Sequence, residues 1–438
     1  MPFTTSPANN SETDNKVSPI FEPFTVASGA TLPNRIVKAA MEENMAVAGQ
    51  LPGKAMFALY RRWSQGGVGT IITGNVMVHA EALTGPAGVV LDAQAPITPF
   101  REWADAAKSG GAQVWMQINH PGRQIQADMP GVAWGPSAAR VELGKNSKRF
   151  AHPQAMTAQQ IDDTVNRFAT TARREEEAGF DGVEIHAAHG YLLSQFLSPL
   201  ANRRTDKWGG TLDNRARLLL DVTRAVRATV APTFTVAVKL NSADFQRGGF
   251  DANDAAQVIT LLAPLGVDVV ELSGGSYEAP AMTGQSPDDR TLAREAYFLT
   301  LAEELAKASP VPLMLTGGVV RRPVAEQALA GGVDFVGLGS ALAIDPDLPN
   351  RWQVDSTAAV ELLPVTIKDK AVASAASMAR VRQQLRRLGK GKPARPTANP
   401  VVALLKEQVL QRRALRRYRH WLQDRTSTTA RSSRREVR

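Results

Sequence analysis

Short, nearly continuous apolar runs rich in β-branched residues alternate along the chain with longer amphipathic stretches. Eight such runs stand out: Arg35–Met41, Val68–Val76, Ala112–His120, Gly182–His189, Phe234–Asn241, Val267–Gly274, Pro312–Gly318 and Phe335–Ala341. A segment apolar at successive positions, and not only at alternate ones, predicts a strand covered on both faces, as parallel strands are. Between the runs lie helical patterns. Thr157-Ala-Gln-Gln reads as a capping box ahead of a stretch to Ala178, where Gly179 stops it, and further helices begin near Asp213, Asp251, Thr291 and Arg322. Eight β-α units with right-handed crossovers close into a (β/α)₈ TIM barrel. A doubly wound open sheet is the alternative, and the count favours the barrel.

Barrels of this kind carry their chemistry at the carboxyl ends of the strands. Those ends read Met41-Glu42, Gly74-Asn75, Gln117 to His120, His186 to Tyr191, Lys239 to Asn241, Ser273 to Gly275, Thr316 to Gly318 and Gly337 to Ser340. Polar groups dominate the early ends and glycines the late ones. Glycine lets backbone N–H groups approach a phosphate, so a phosphorylated cofactor is expected at the last two strands. Gly122 to Phe150 is long for a plain connection and reads as a lid over the catalytic face.

Composition narrows the classes. The chain has 438 residues, 43% hydrophobic and 21% charged, with no apolar run long enough to span a bilayer. Its zero cysteines exclude disulfides, thiolate metal sites, cysteine-held iron–sulfur clusters and cysteine nucleophiles. Residues 1–19 are polar and turn-rich and read as a disordered leader, and a cytoplasmic location is the default.

The net charge of +9 is uneven, because residues 356–438 hold 20 Lys and Arg against 5 Asp and Glu. Residues 20–355 are therefore expected to form the barrel, and 356–438 a basic helical C-terminal extension. A turn-rich linker from Gly389 to Pro400 divides that extension. Beyond it, Val401, Leu404, Leu405, Val409, Leu415, Trp421 and Leu422 recur at helical spacing opposite many arginines. This pattern suits a helix docked on the barrel or on a second subunit better than a nucleic-acid contact through Arg412 to Arg419. A homo-oligomer is expected, and the last dozen residues are expected to be disordered.

The stretch Glu184-Ile-His-Ala-Ala-His-Gly-Tyr-Leu-Leu-Ser-Gln-Phe-Leu-Ser-Pro, continued by Asn202-Arg-Arg-Thr-Asp, Trp208-Gly-Gly and Asn214-Arg215, strongly resembles the signature of the old yellow enzyme family. Pro33-Asn-Arg-Ile-Val, Gln117, His120-Pro-Gly-Arg123, Gly135-Pro-Ser137 and Asp345-Pro-Asp-Leu-Pro349 support it in the family's order, from about Ile20 to Trp352. The resemblance implies FMN over the barrel mouth, reduced by NADH or NADPH and reoxidised by an activated alkene in the same space, with ping-pong kinetics. It implies that Ala39, Ala40, Met41, Glu42 and Gly74 line the flavin ring and that Gln117 bonds its pyrimidine edge. Lys239 stands where an arginine is usual, keeping the cation but losing its planar fork. Gly317, Gly318 and Gly339 match the phosphate loops. Ser340 replaces a usual phosphate-binding arginine, which puts more of that load on Arg321 or on backbone donors. Glu42, followed by Glu43 and Asn44, stands where Thr or Cys is common, and a carboxylate there disfavours an anionic reduced ring unless it is protonated or turned away.

His186 and His189 lie three apart where the chain leaves a strand, so both rings can converge on one point. A His-x-x-His pair is more often structural or metal-binding, but no cysteine exists to complete a zinc site. Within the resemblance the pair is an oxyanion clamp that polarises an enone carbonyl, worth roughly 2.7–4 kcal/mol per well-placed donor. Tyr191 falls in the family's proton-donor position, a general-acid contribution of about 10²–10⁴-fold. The expected activity is that of an NAD(P)H-dependent flavin oxidoreductase of the ene-reductase type. Competing readings are a flavin barrel that reduces nitro groups, isomerises or oxidises, and a non-catalytic barrel scaffolding the basic tail. Asn202 to Asp206 with Asn214-Arg215 reads as a structural network bracing the loop of Tyr191, while Arg290 and Tyr297 are possible substrate contacts.

Overall fold

The computed structural model describes residues 17–275, 278 and 299–436. Eight parallel strands form its centre: β1 Ile36–Lys38, β2 Thr70–Ile72, β3 Gln113–Asn119, β4 Gly182–Ala187, β5 Thr235–Asn241, β6 Val269–Ser273, β7 Leu313–Thr316 and β8 Phe335–Leu338. They pair in sequence order, with β8 returning to β1, so the sheet closes. Every barrel strand is buried along most of its length, which is why continuous apolar runs mark all eight.

The strands are shorter than the runs that announce them. The β1 ladder ends at Lys38, and Val76–Met77 leaves the β2 run to pair separately with the end of β3. The β4 strand ends at Ala187 because His189 takes a left-handed φ of 62° that no ladder accommodates.

Helices cover the outside: α1 Lys54–Gln65, α2 Thr98–Lys108, α3 Ala158–Glu177, the short α4 Leu192–Leu197, α5 Leu212–Thr229, α6 Ala252–Leu262, α7 Arg322–Ala330, α8 Ser340–Ile344 and α9 Leu348–Val354. The α3 helix opens with the expected capping box, in which Thr157 accepts from Gln160 N–H and Gln160 accepts from Thr157 N–H. Asp251 caps α6, its carboxylate accepting from the Asn253 and Asp254 N–H groups. A helix beginning near Thr291 lies outside the described residues. Ser18, within the expected leader, is buried and bonded to Glu326.

The basic extension is two helices, α10 Lys370–Leu388 and α11 Pro400–Glu436, joined by the turn-rich linker and packed on each other. The α10 helix lies against α1 and α8. The α11 helix crosses the strand-end excursions, where Tyr418 is buried with Leu83, Ile125, Met129 and Ala133 and donates to Ala80 O at 2.8 Å.

One expectation for α11 is corrected. Its buried stripe runs through Ala403, Glu407, Ala414 and Tyr418, with Leu415, Trp421 and Leu422 alongside, whereas Val401, Leu405 and Val409 are exposed. Small alanines allow α11 to approach α10 closely, which turns the larger aliphatic residues outward. The backbone is helical through Glu436, since no glycine or proline interrupts the chain after Pro400.

Candidate active site

The chain turns sharply where β4 ends. His189 and Gly190 both have positive φ, 62° and 72°, and the turn folds His189 back onto His186. Three hydrogen bonds hold this strained piece: His189 N–H donates to Asn241 Oδ1 at 3.0 Å, Gln124 Nε2 to His189 O at 2.9 Å, and Gln195 Nε2 to Gly190 O at 2.7 Å. Asn241 ends β5 and also donates to Asp244 and Gly275 O, so neighbouring strand ends fix the turn.

The result is an aromatic triad. The His186 ring lies 5.0 Å from that of His189 and 4.9 Å from that of Tyr191, both edge to face. His186 Nδ1 accepts the Ala188 N–H at 3.2 Å, which assigns its proton to Nε2. His189 Nε2 lies 2.7 Å from Ser273 Oγ at the end of β6, and if Ser273 donates there, Nδ1 carries the His189 proton. Burial holds both imidazoles well below the usual histidine range, helped by the Lys239 charge and, for His189, by His186. Both rings are neutral at pH 7, each with one N–H.

Below them the barrel interior is polar. Lys239 pairs with Glu271, both fully enclosed, and Gln117 donates to Glu184 at 2.5 Å. Burial opposes the Lys239 charge, yet the carboxylates of Glu271 and Glu184 hold its pKa above the ordinary lysine value. Burial likewise opposes ionisation of Glu271, but Lys239 outweighs it and keeps this carboxyl below the usual range. Glu184 is pushed well above that range by burial and by the negative charge of Glu271. Within the cluster Lys239 and Glu271 form the ion pair, and Glu184 is the acid whose ionisation burial and Glu271 oppose.

Toward β1, Lys38 Nζ donates to Ile72 O at 2.8 Å, sits 4.4 Å from the Trp63 ring and lies 3.8 Å from Glu43, whose carboxylate accepts from Tyr60. Burial lowers the Lys38 pKa to about 8. Lys38 and Glu271, and the buried partners of Glu43 and Glu184, escape sequence reasoning because a charged residue inside an apolar run gives no sign of its partner.

The segment after β1 bears on the expectation that a carboxylate at Glu42 disfavours an anionic ring unless it is protonated or turned away. Glu42 accepts from Thr84 and forms an ion pair at 2.9 Å with Arg382 of α10, so its charge is compensated. Ala39 is buried and Ala40 and Met41 are partly buried at the same rim. Gly74 is packed by protein: a Cβ there would meet Glu43 Oε2 at 2.1 Å and Met41 O at 2.3 Å. Its N–H donates to Tyr60 Oη at 3.0 Å.

At the far side, Gly317 and Gly318 have φ of 136° and 70°, and a Cβ at Gly317 or Gly339 would meet nothing within 4 Å. Open space therefore lies beside these backbones. Ser340 begins α8 next to them, while Arg321 is exposed ahead of α7.

The lid expected from 122 to 150 is tied down. Arg123 is buried, donates to Ala139 O and Arg140 O, and pairs with Glu278 at 2.7 Å. Gln195 accepts from Arg123 N–H while bonding Gly190 O, which joins the lid to the turn carrying Tyr191. The Asn202 to Asp206 segment braces the same loop, with Asn202 Nδ2 donating to Phe196 O and Trp208 O. Arg290 and Tyr297 lie outside the described residues.

FMN fits the residues at this mouth. Asn75 Oδ1 and both amide atoms of Asn119, at the ends of β2 and β3, are buried without a hydrogen-bond partner, as expected of groups awaiting a polar heterocycle. The open backbone at Gly317 and Gly339 suits a phosphate.

The comparisons agree. A family model described as NADH:flavin oxidoreductase / NADH oxidase family matches residues 19–357. The NADH-dependent flavin oxidoreductase iliE of Hypocrea jecorina (strain QM6a) is 36% identical over 349 residues, which are 75% of this chain and 87% of that protein. The relative of the same name from Neonectria sp. (strain DH2) is 37% identical over 75% of this chain, which spans 46% of that protein's length. Among solved structures, the old yellow enzyme homologue from Zymomonas mobilis shares the fold with a TM-score of 0.66 at 24% identity, over 78% of this chain and 94% of that one. Morphinone reductase in complex with tetrahydroNAD also has a TM-score of 0.66 at 24% identity, over 79% and 93%. The chain belongs to the NADH:flavin oxidoreductase / NADH oxidase family, the old yellow enzyme family of (β/α)₈-barrel oxidoreductases, whose cofactors are FMN and NAD(P)H.

Proposed function

We propose that this protein reduces activated carbon–carbon double bonds of α,β-unsaturated carbonyl compounds with NAD(P)H. The observation that carries the reading is the triad of His186, His189 and Tyr191 at the strand-end mouth, with the His186 proton assigned to Nε2. FMN, held by Ala39–Glu42, Gly74, Gln117, Lys239, Gly317, Gly318, Gly339 and Ser340, supplies reversible two-electron hydride chemistry when bound.

The chain's own residues do the rest. As hydride adds to the β-carbon of an enone, negative charge moves to the carbonyl oxygen. The His186 and His189 N–H groups donate to that oxygen and stabilise the charge as it forms. Both imidazoles are neutral, so they stabilise the enolate without giving up their protons. The Tyr191 phenol supplies the proton to the α-carbon. The ordered lid over the mouth excludes water, which strengthens each of these interactions.

Anaerobic stopped-flow reduction with NADH and with NADPH, followed by mixing with 2-cyclohexen-1-one, tests the proposal. Reoxidation by the enone at a saturable rate supports it. A flavin that is reduced but not reoxidised by any enone refutes it.

A further inference from the structure

The basic extension contributes one side chain directly to the barrel mouth. Arg382, in the middle of α10, donates to Glu42 O at 3.3 Å and pairs with the Glu42 carboxylate at 2.9 Å. With its carboxamide oxygen turned inward, Asn44 accepts from Arg382 Nε at 3.1 Å and Nη2 at 2.8 Å. Asn44 itself has a left-handed φ of 51°, so the guanidinium stabilises a strained turn of the loop that follows β1. Behind Arg382, Glu407 of α11 takes Arg382 at 3.5 Å and Arg386 at 2.6 Å. Two carboxylates and two guanidiniums form a balanced, largely buried network spanning three separate parts of the chain.

We infer that Arg382 is a positioning residue of the flavin site, supplied by the C-terminal extension, which sets the Ala39–Asn44 loop and neutralises Glu42 beside the cofactor. This rests on the FMN reading of the mouth. The fork of a guanidinium meets a side-chain carboxylate, a main-chain carbonyl and a carboxamide at once, which a lysine ammonium cannot match. Without Arg382, Glu42 keeps among the described residues only the Thr84 hydroxyl, and its negative charge opposes an electron-rich ring. The extension is therefore part of the catalytic head.

The test compares wild type, R382Q, R382K, E42Q and the double variant E42Q/R382Q as full-length proteins. FMN affinity of the apoprotein is measured by quenching of flavin fluorescence, and the midpoint potential of the reconstituted proteins by dye equilibration. R382Q is expected to weaken FMN binding at least tenfold and to lower the potential, with R382K intermediate. E42Q/R382Q is expected to recover to within about threefold of wild type, because removing both charges leaves none uncompensated. Equal losses in R382Q and E42Q/R382Q, or wild-type affinity and potential in R382Q, would overturn the inference. Wild-type protein that binds no FMN would overturn the reading beneath it as well, a result distinct from both.

Discussion

The rings of His186 and His189 stand edge to face with 5.0 Å between their centroids, although the two residues leave a strand three positions apart. The left-handed backbone at His189 and Gly190 makes this possible, and Asn241, Gln124 and Gln195 hold it there. The approach of the two rings is thus a property of three neighbouring segments and not of the His-x-x-His spacing alone.

Removing either imidazole should therefore slow enone reduction while sparing reduction by NAD(P)H relatively well. His186→Ala and His189→Ala are each expected to lower the oxidative rate by about 10²–10³-fold, the effect of losing one oxyanion donor. Tyr191→Phe is expected to cost about 10²–10⁴-fold in the same half-reaction. Stopped-flow measurement of the two half-reactions separates these effects, and equal losses in both halves would argue for a structural role instead.

His120, at the mouth, gives a pH signature. Burial, then the charges of His79 and Arg167, lower its pKa to about 3. A depressed folded-state pKa contributes stability that is present above the unfolded value near 6.5 and is lost as pH falls toward 3. His120→Asn, which keeps an acceptor for the Gly122 N–H, should remove that dependence. Urea unfolding at pH 7.5, 6 and 5 should show wild type losing up to about 1.4 kcal/mol per pH unit relative to the variant. Parallel profiles would refute the assignment.

The buried acids of the barrel interior should respond in opposite ways. Glu271→Gln leaves Lys239 as an enclosed cation without its ion-pair partner and is expected to cost about 3–5 kcal/mol. Glu184→Gln copies the neutral acid and should be tolerated. Because the folded-state pKa of Glu184 is raised, wild type should lose stability relative to E184Q as pH rises above about 4.5. Thermal unfolding of the three proteins across pH 4.5 to 8 checks both expectations; a wild-type advantage over E184Q that grows with pH, or an E271Q variant as stable as wild type, would contradict them.

How legible each part was follows from the range of the interactions involved. Barrel strands announce themselves because both faces are covered, and the α3 cap because Thr157 and Gln160 are three residues apart. The pairing of His186 with His189 and Tyr191 could be expected because a resemblance covers the whole turn that carries them. Strand limits were overestimated, since a left-handed residue such as His189 is invisible in an apolar count. The partner of Glu42 was not legible at all: Arg382 lies 340 positions away, inside a charge run that looks like a solvated face. The docked stripe of α11 was misread for a related reason, because Ala403 and Ala414 pack through their smallness and weigh little in a hydrophobic pattern.

The most direct measurement is the visible absorbance of the FMN-loaded protein titrated with a phenolate ligand such as 4-hydroxybenzaldehyde. If His186 and His189 grip an oxygen anion stacked on the flavin, wild type develops a long-wavelength charge-transfer band that is lost in the His186→Ala/His189→Ala double variant. A flavin-loaded wild type that shows no such band, or a double variant whose band is undiminished, would contradict the account.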